Sequence, residues 1–347
     1  MSFGAGPNGL LWRDGDEAVD LSGLGDVFAQ RTLNPLMAQG RAAWGEAIAA
    51  AREHEGPRLP LAKAGFALPF EVADYVDFYS SLEHATNLGR MFRPDQEPLL
   101  PNWRWLPVAY HGRAGSVVVS GTDVVRPRGQ RKAPDEHAPT FGPSLRLDFE
   151  LELGFVVGVP TELGESVPVE AFAEHVFGVV LVNDWSARDI QAWEYVPLGP
   201  NLGKSFQTSI SAWVTPLALL EDARVDAPPQ EPPPLPHLAG GRDWGLDVAL
   251  GVELNGQTVS QGNARTLYWT LPQQLAHATS NGASLRTGDL MASGTISGSE
   301  PRSEGSMIEL FRGERFLEDG DEVVLRGRAA NGVELGEVRA RVLPART

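Results

Sequence analysis

The sequence predicts an α+β fold made mostly of sheet, with a small N-terminal domain ahead of a large one. Three observations carry that reading. At 347 residues the chain is longer than one ordinary hydrophobic core organises. Its 38 glycines and 27 prolines supply turns at a density that suits short strands. Apolar residues alternate at the two-residue period of a strand in several runs, whereas clear helical patterns are few. Hydrophobic residues at 42% against 21% charged point to a globular chain and away from a disordered one.

In chain order, residues 1 to about 70 make the small unit. GLLWRD and EAVDLS are strand-like pieces. NPLMAQGRAAWGEAIAAAREHEG reads as one helix: Asn34 suits its N-cap, Pro35 its first turn and Gly56 its end. Trp44 and Ile48 give it an apolar face. GPRLPLAKAGFALP follows as a linker or covering strand. From 71 to 347 strands and turns dominate, in a pattern that suits a rolled or barrel-like sheet. Asn255-Gly256 and Asn331-Gly332 predict tight hairpins. DAPPQEPPPLPH (226–237) is a polyproline-prone surface excursion.

Several functions are excluded early. A net charge of −16 and a pI near 4.9 argue against nucleic acid or an anionic membrane as partner, since both attract a positive face. The balance fits a soluble cytoplasmic protein. Without cysteine there are no disulfides, thiolate zinc sites or cysteine nucleophile. MSFGAGPNGLLWRDGDEAVD lacks the basic stretch and apolar core of a secretory signal, and runs such as VFGVVLV are far shorter than a membrane span. GAGPNG at 4–9 matches G-x-G-x-x-G only formally, with no strand to deliver it.

The first positive signal is DFELELGFVVG, residues 148–158. Phe149, Leu151, Leu153 and Phe155 fall on one face of a strand, and Asp148, Glu150 and Glu152 on the other. Like charges in a row repel, and each carboxylate resists leaving water. VFGVVLVND ends in Asp184 at a strand tip, and DYVDFY alternates Asp77 with Tyr75 and Tyr79. Acids arriving from separate segments suit a hard divalent cation such as Ca²⁺ or Mg²⁺. Glu150, Glu152 and Asp184, set in apolar strands, read as metal ligands; Asp148 reads as a surface acid.

SSLEHATNLG contains a capping box at Ser80 and Glu83, so a helix should begin near Ser81 with His84 in its first turn. The positive helix terminus disfavours imidazolium there and keeps the ring neutral, as a base must be. In NDWSARDIQAWEYVPLGPNLGKS, Ser186 and Asp189 predict a second helix start and Pro197 its end. Arg188, Gln191 and Tyr195 share one face at i, i+3 and i+7, an arrangement suited to orienting a substrate just past Asp184. A structural histidine and an ordinary polar helix face are the plainer alternatives.

At these residues the sequence resembles the fumarylacetoacetate hydrolase family. DFYSSLEHATNLG, LLPNWRWLPVAYHGRAGSVVVSGT, NDWSARDIQAWEYVPLGPNLGKSFQTSIS and TGDLMASGTISGS look like its signature segments. The likeness runs from about residue 74 to the C-terminus, and more weakly through VFAQRTLNPLMAQGRAAWGEA. It implies an SH3-like domain over 1–70, a β-roll catalytic domain over 71–347 and a homodimer. It also implies hydrolysis of the carbon–carbon bond of 4-fumarylacetoacetate to fumarate and acetoacetate, the last step of tyrosine and phenylalanine breakdown.

Carried over by position, the resemblance gives Ca²⁺ to Asp77, Glu150, Glu152 and Asp184, and a second site, for Mg²⁺, to Asp184, Lys204 and Thr208. His84 would be the base, paired with Glu309, while Arg188, Gln191 and Lys204 stabilise an oxyanion. Tyr79, Arg93, Gln191, Tyr195 and Thr295 would contact substrate, with Tyr110 lining the pocket. Gln207 departs from the glycine usual in the family. Two other readings stay open: a related hydratase, isomerase or acylpyruvate hydrolase, and an idle Ca²⁺-binding scaffold.

Overall fold

A computed structural model describes residues 1–133 and 135–347. The strands labelled below are β1 (Ser2–Ala5), β2 (Leu10–Asp14), β3 (Glu17–Asp20), β4 (Arg58–Pro60), β5 (Tyr75–Phe78), β6 (Ala109–His111), β7 (Leu151–Val157), β8 (Val176–Asp184), β9 (Thr208–Ile210), β10 (Trp213–Pro216), β11 (Val248–Leu254), β12 (Gln257–Asn263), β13 (Leu290–Ala292), β14 (Glu322–Ala329) and β15 (Glu334–Leu343). The helices used below are α1 (Arg41–Glu53), α2 (Leu82–Phe92), α3 (Arg188–Glu194) and α4 (Met307–Leu310). The result is a mixed fold that is mostly sheet.

One large sheet runs β4-β3-β2-β1-β10-β8-β7-β13-β5-β6, with β9 paired to β8 off this path. A second runs β12-β11-β14-β15 and ends on Val124–Val125. The main core lies between them. Phe149, Leu151, Leu153 and Phe155 all enter it, beside Leu181, Val252 and Leu325, so the two-residue alternation read from the sequence holds. Asn255 and Gly256 both take positive φ, 52° and 75°, the backbone of a type I′ turn, and join β11 to β12. Asn331-Gly332 likewise falls between β14 and β15.

Glu152 and Val156 face the other side of β7, where the N-terminal unit covers the far end of the strand. Phe3, Trp12 and Trp44 pack there with Val156, Phe177 and Val180 in a second core. Fully burying each such side chain contributes about 1.5–3 kcal/mol. β1 also extends the large sheet directly, pairing Phe3 with Val214 and Gly4 with Trp213. The first 60 residues are therefore built into the sheet that carries the acids.

Two local expectations are corrected. The long N-terminal helix divides into Asn34–Met37 and α1, because Gly40 between them sits at φ +84°. Asn34 does not cap it. Its amide nitrogen donates to the Glu71 carbonyl at 3.0 Å and its carbonyl accepts from the Glu71 amide at 2.8 Å, so it ties the unit to the segment that enters β5. The apolar face is as read, with Trp44, Ala47, Ile48 and Ala51 buried. GPRLPLAKAGFALP includes β4, a covering strand on β3.

Register sets the acids on one face. Glu152 pairs with Val182, two residues before Asp184, and Asp77 pairs with Ala292 across β13. Gly154 is the other neighbour of Ala292. A Cβ at Gly154 would meet Val182 and Leu290 side chains at 2.8 and 2.9 Å. Gly154→Val is expected to lower stability by about 1–3 kcal/mol through overpacking, read as a lower urea midpoint at unchanged slope.

Candidate active site

The acid cluster comes from three strands. Asp77 on β5, Glu152 on β7 and Asp184 at the tip of β8 each place an oxygen within 4.8 Å of the other two. All three are buried. Asp77 Oδ1 and both oxygens of Glu152 have no hydrogen-bond partner. Burial first, then the neighbouring carboxylates, push the Asp77 and Glu152 carboxyls well above the usual range. Buried oxygens without donors, converging from a rigid sheet, fit a hard divalent cation.

Glu150 stands apart from this cluster. Its carboxylate accepts from Arg188 Nη2 at 2.7 Å and is ion-paired with Lys204. Burial alone would raise its pKa, but Arg188, Lys204 and His84 outweigh burial and hold Glu150 well below the usual carboxylate range. Lys204 Nζ also reaches Asp184 Oδ2 at 2.6 Å. Asp184 further accepts from Tyr110 Oη at 2.6 Å and from Thr208 Oγ1 at 3.1 Å. Lys204 arrives on a turn pressed against α3: a Cβ at Gly203 would meet Gln191 Cα at 2.7 Å.

His84 lies in the first turn of α2, as expected, but the cap is displaced by one residue. Ser81, not Ser80, is the N-cap, and its Oγ accepts from the His84 amide at 3.3 Å. Ser80 Oγ has no partner. The His84 ring is buried, with Nδ1 2.6 Å from Glu309 Oε2 and Nε2 3.8 Å from Glu150 Oε1. Glu309 also accepts from Ser306 Oγ at 2.6 Å, Ser297 Oγ at 3.0 Å and Asn87 Nδ2 at 3.0 Å. Burial opposes its charge, yet His84 and these donors keep Glu309 below its ordinary pKa. The sequence reading passed over Asn87, whose one signal was its place three residues after His84 on the same helix.

The second helix start is also corrected. Ser186 pairs in a short ladder opposite Asp148, and α3 begins at Arg188 without a side-chain cap. Asp189 instead accepts from Ser144 Oγ at 2.6 Å and the Leu145 amide at 2.8 Å. The helix ends at Glu194, before Pro197. Arg188, Gln191 and Tyr195 do share a face: Arg188 Nη1 donates to Gln191 Oε1 at 3.2 Å. Asp148, read as a surface acid, is fully buried and bonded to Arg188 Nε at 2.8 Å.

One cavity of 540 Å³ joins these groups. Asp77, Glu150, Glu152, His84, Arg188 and Lys204 line one part of it, and Tyr79, Arg93, Tyr110, Gln191, Tyr195 and Thr295 also reach it. Glu309, Asp184 and Thr208 stand behind that lining. Arg93 donates through Nη2 to the Pro98 carbonyl at 2.8 Å, while its buried Nε has no partner. Leu88, Leu99, Trp103 and Val108 form an apolar wall that the sequence reading did not anticipate. Gln207 donates weakly to the Thr122 carbonyl and Ser209 Oγ, both at 3.3 Å.

Residues 74–343 match the family model described as fumarylacetoacetate (FAA) hydrolase C-terminal. The chain belongs to this family. It is 50% identical to the fumarylacetoacetase of Caenorhabditis elegans, over 92% of this chain and 85% of the relative. To the fumarylacetoacetase of Homo sapiens it is 47% identical, with the same coverage of each. A solved maleylpyruvate hydrolase from Sphingobium, in complex with manganese(II) ion and pyruvate, shares the fold at a TM-score of 0.60 and 17% identity over 100% of both chains. Enzymes of this family are metal-dependent, and the Asp77–Glu152–Asp184 cluster can bind a metal in this chain. Among the described residues, no helix is long and apolar enough to cross a membrane.

The cluster predicts a pH signature. Asp77 and Glu152 have raised folded-state pKa values, so the apo protein retains protons that the unfolded chain releases. Its stability therefore falls as pH rises above about 4, the unfolded range of these acids. A bound cation replaces the protons and offsets that loss. Saturating Ca²⁺ is expected to raise Tm over chelated protein, by more at about pH 8 than at about pH 5.5. Glu152→Gln should remove most of the difference; a variant that responds like wild type would count against the cluster as the cation site.

Proposed function

We infer that this chain hydrolyses 4-fumarylacetoacetate with one water to fumarate and acetoacetate, the fumarylacetoacetase reaction that closes tyrosine and phenylalanine breakdown. The observation that carries it is the buried His84–Glu309 pair opening onto the same cavity as the acid cluster. The 50% and 47% identity to curated fumarylacetoacetases narrows the substrate.

His84 donates Nδ1–H to Glu309, which leaves Nε2 free to accept a proton from water. The hydroxyl oxygen adds to the carbonyl beside the fumaryl double bond. Arg188, Gln191 and Lys204 face the negative charge that develops there. The carbon–carbon bond then breaks, its electrons pass to the departing acetoacetate carbon, and His84 returns the proton to that carbon. A cation held by Asp77, Glu150, Glu152 and Asp184 would supply Lewis acidity and a template for the diketone oxygens.

Ca²⁺ is the ion we assign to those four acids. Mg²⁺ is assigned to a second site at Asp184, Thr208 and the backbone of Lys204. Substrate contacts are assigned to Tyr79, Arg93, Tyr110, Gln191, Tyr195 and Thr295. Arg93, with an unpartnered buried Nε, suits a carboxylate of the substrate. A homodimer is assigned from the family likeness. Residues 1–70 are read as an SH3-like domain docked on the catalytic roll, and the acidic chain as cytoplasmic.

Loss of 4-fumarylacetoacetate, with both products quantified, tests the reading; an acylpyruvate serves as comparison substrate. His84→Ala is expected to lower kcat by about 10²–10⁴-fold while keeping the Ca²⁺-dependent rise in Tm. Full activity in that variant would remove His84 as the base. Arg93→Met is expected to raise KM by about tenfold or more, since a charged hydrogen bond contributes about 1.5–3 kcal/mol.

A further inference from the structure

The third acid of the stripe, Asp148, takes no part in the reaction above, yet both of its oxygens are engaged. Oδ2 accepts from Arg188 Nε at 2.8 Å and from the Ile308 amide at 3.2 Å. Oδ1 accepts from the Met307 amide at 2.8 Å. Arg188 spreads its other arm to Glu150 at 2.7 Å. Met307 and Ile308 open α4, whose next residue is Glu309, the partner of His84. One buried carboxylate thus ties together two groups from distant parts of the chain.

The surroundings fix that carboxylate in turn. Asp148 pairs with Ser186 in a short antiparallel ladder, and Leu147 with Ala187. The Arg188 amide donates to the Arg146 carbonyl at 2.9 Å, and the Leu317 amide to the Leu147 carbonyl at 2.9 Å. The start of α3 and the segment following α4 are therefore stitched to the same short stretch. A guanidinium is planar, so holding Nε on Asp148 and Nη2 on Glu150 sets the direction of the whole fork.

We propose that Asp148 is a positioning residue that sets Arg188 and Glu309 in register with each other, although it does not line the cavity. The inference rests on the hydrolase reading above. Asp148 acts only through residues already placed in the reaction. Its removal should therefore affect turnover and leave ground-state binding little changed. A 1 Å error in such a constellation costs about 10²-fold in rate.

Steady-state kinetics on 4-fumarylacetoacetate test this with Asp148→Asn, Glu309→Gln and the double variant, beside wild type. Asp148→Asn keeps the shape but sets an amide N–H against donors. The expected loss in kcat is about 10²-fold, with KM within about threefold and the Ca²⁺-dependent rise in Tm retained. Because Asp148 works partly through Glu309, the double variant should lose far less than the product of the two single losses. If Asp148→Asn does not fold, Asp148→Glu keeps the charge, moves it by one methylene and is read in the same way. Losses that multiply, an unchanged kcat, or two variants that both fail to fold would each overturn the proposal. A wild type silent on this substrate removes the hydrolase reading and the inference with it. An active wild type with an indifferent Asp148→Asn removes the inference alone.

Discussion

Three carboxylates held on one face of one sheet, away from water, are the constraint on which the rest of the molecule turns. At 4 Å and an effective dielectric of about 20, a pair of like charges repels by about 4 kcal/mol. Asp77, Glu152 and Asp184 make three such close pairs, with the cost of dehydration added to each. A loop would relax and let them part. Hydrogen bonds on both edges of β7 and β8 prevent that, so the charge has to be met where it is, by protons or by a cation.

Each neighbouring element serves that requirement. Beyond Glu152, the N-terminal unit seals the acid-bearing face with Phe3, Trp12 and Trp44, which deepens the desolvation of that face. Lys204 and Arg188 sit on the open side and bind the acids that the cluster does not use fully. Ala292, on the strand between Asp77 and Gly154, brings only a methyl into the ring of acids. The outcome is a fixed, electron-rich surface at one end of a cavity whose other wall is apolar.

Much of this was legible because strand alternation is a strong local signal. Phe149 to Phe155 against Glu150 and Glu152 could be read from spacing alone, and the Asn-Gly hairpins from turn chemistry. The failures have more than one cause: Ser80 lies one residue before the true cap, Ser81, and Ser186 Oγ bonds the Asp184 carbonyl two residues back. Asn34, Ser80, Ser186 and Asp189 were all read as caps, which treats a polar side chain as serving its own helix. In the structure Asn34 bonds Glu71 and Asp189 bonds Ser144 and Leu145, because long-range partners outcompete local ones. Asp148 failed the same way: its partners, Arg188 and the Met307 and Ile308 amides, are remote in sequence. Glu309 had no local signal at all, and only family likeness pointed to it.

Glu150 is the residue at which these parts meet. It lies two positions from Glu152 on the same face of the chain, yet its oxygens turn to Arg188 and Lys204, and one lies 3.8 Å from His84 Nε2. Acid cluster, cations and base thus converge on a single buried carboxylate. Were Glu150 apolar, Arg188 and Lys204 would be drawn onto the remaining acids and would compete there with a cation. With Glu150 in place, Arg188 is divided between Asp148 and Glu150, and Lys204 between Glu150 and Asp184. Asp77 Oδ1 and both oxygens of Glu152 are left without partners. The stripe DFELEL therefore divides its labour by position: Asp148 anchors Arg188, Glu150 links both cations to the acid-bearing face, and Glu152 keeps both oxygens without a partner.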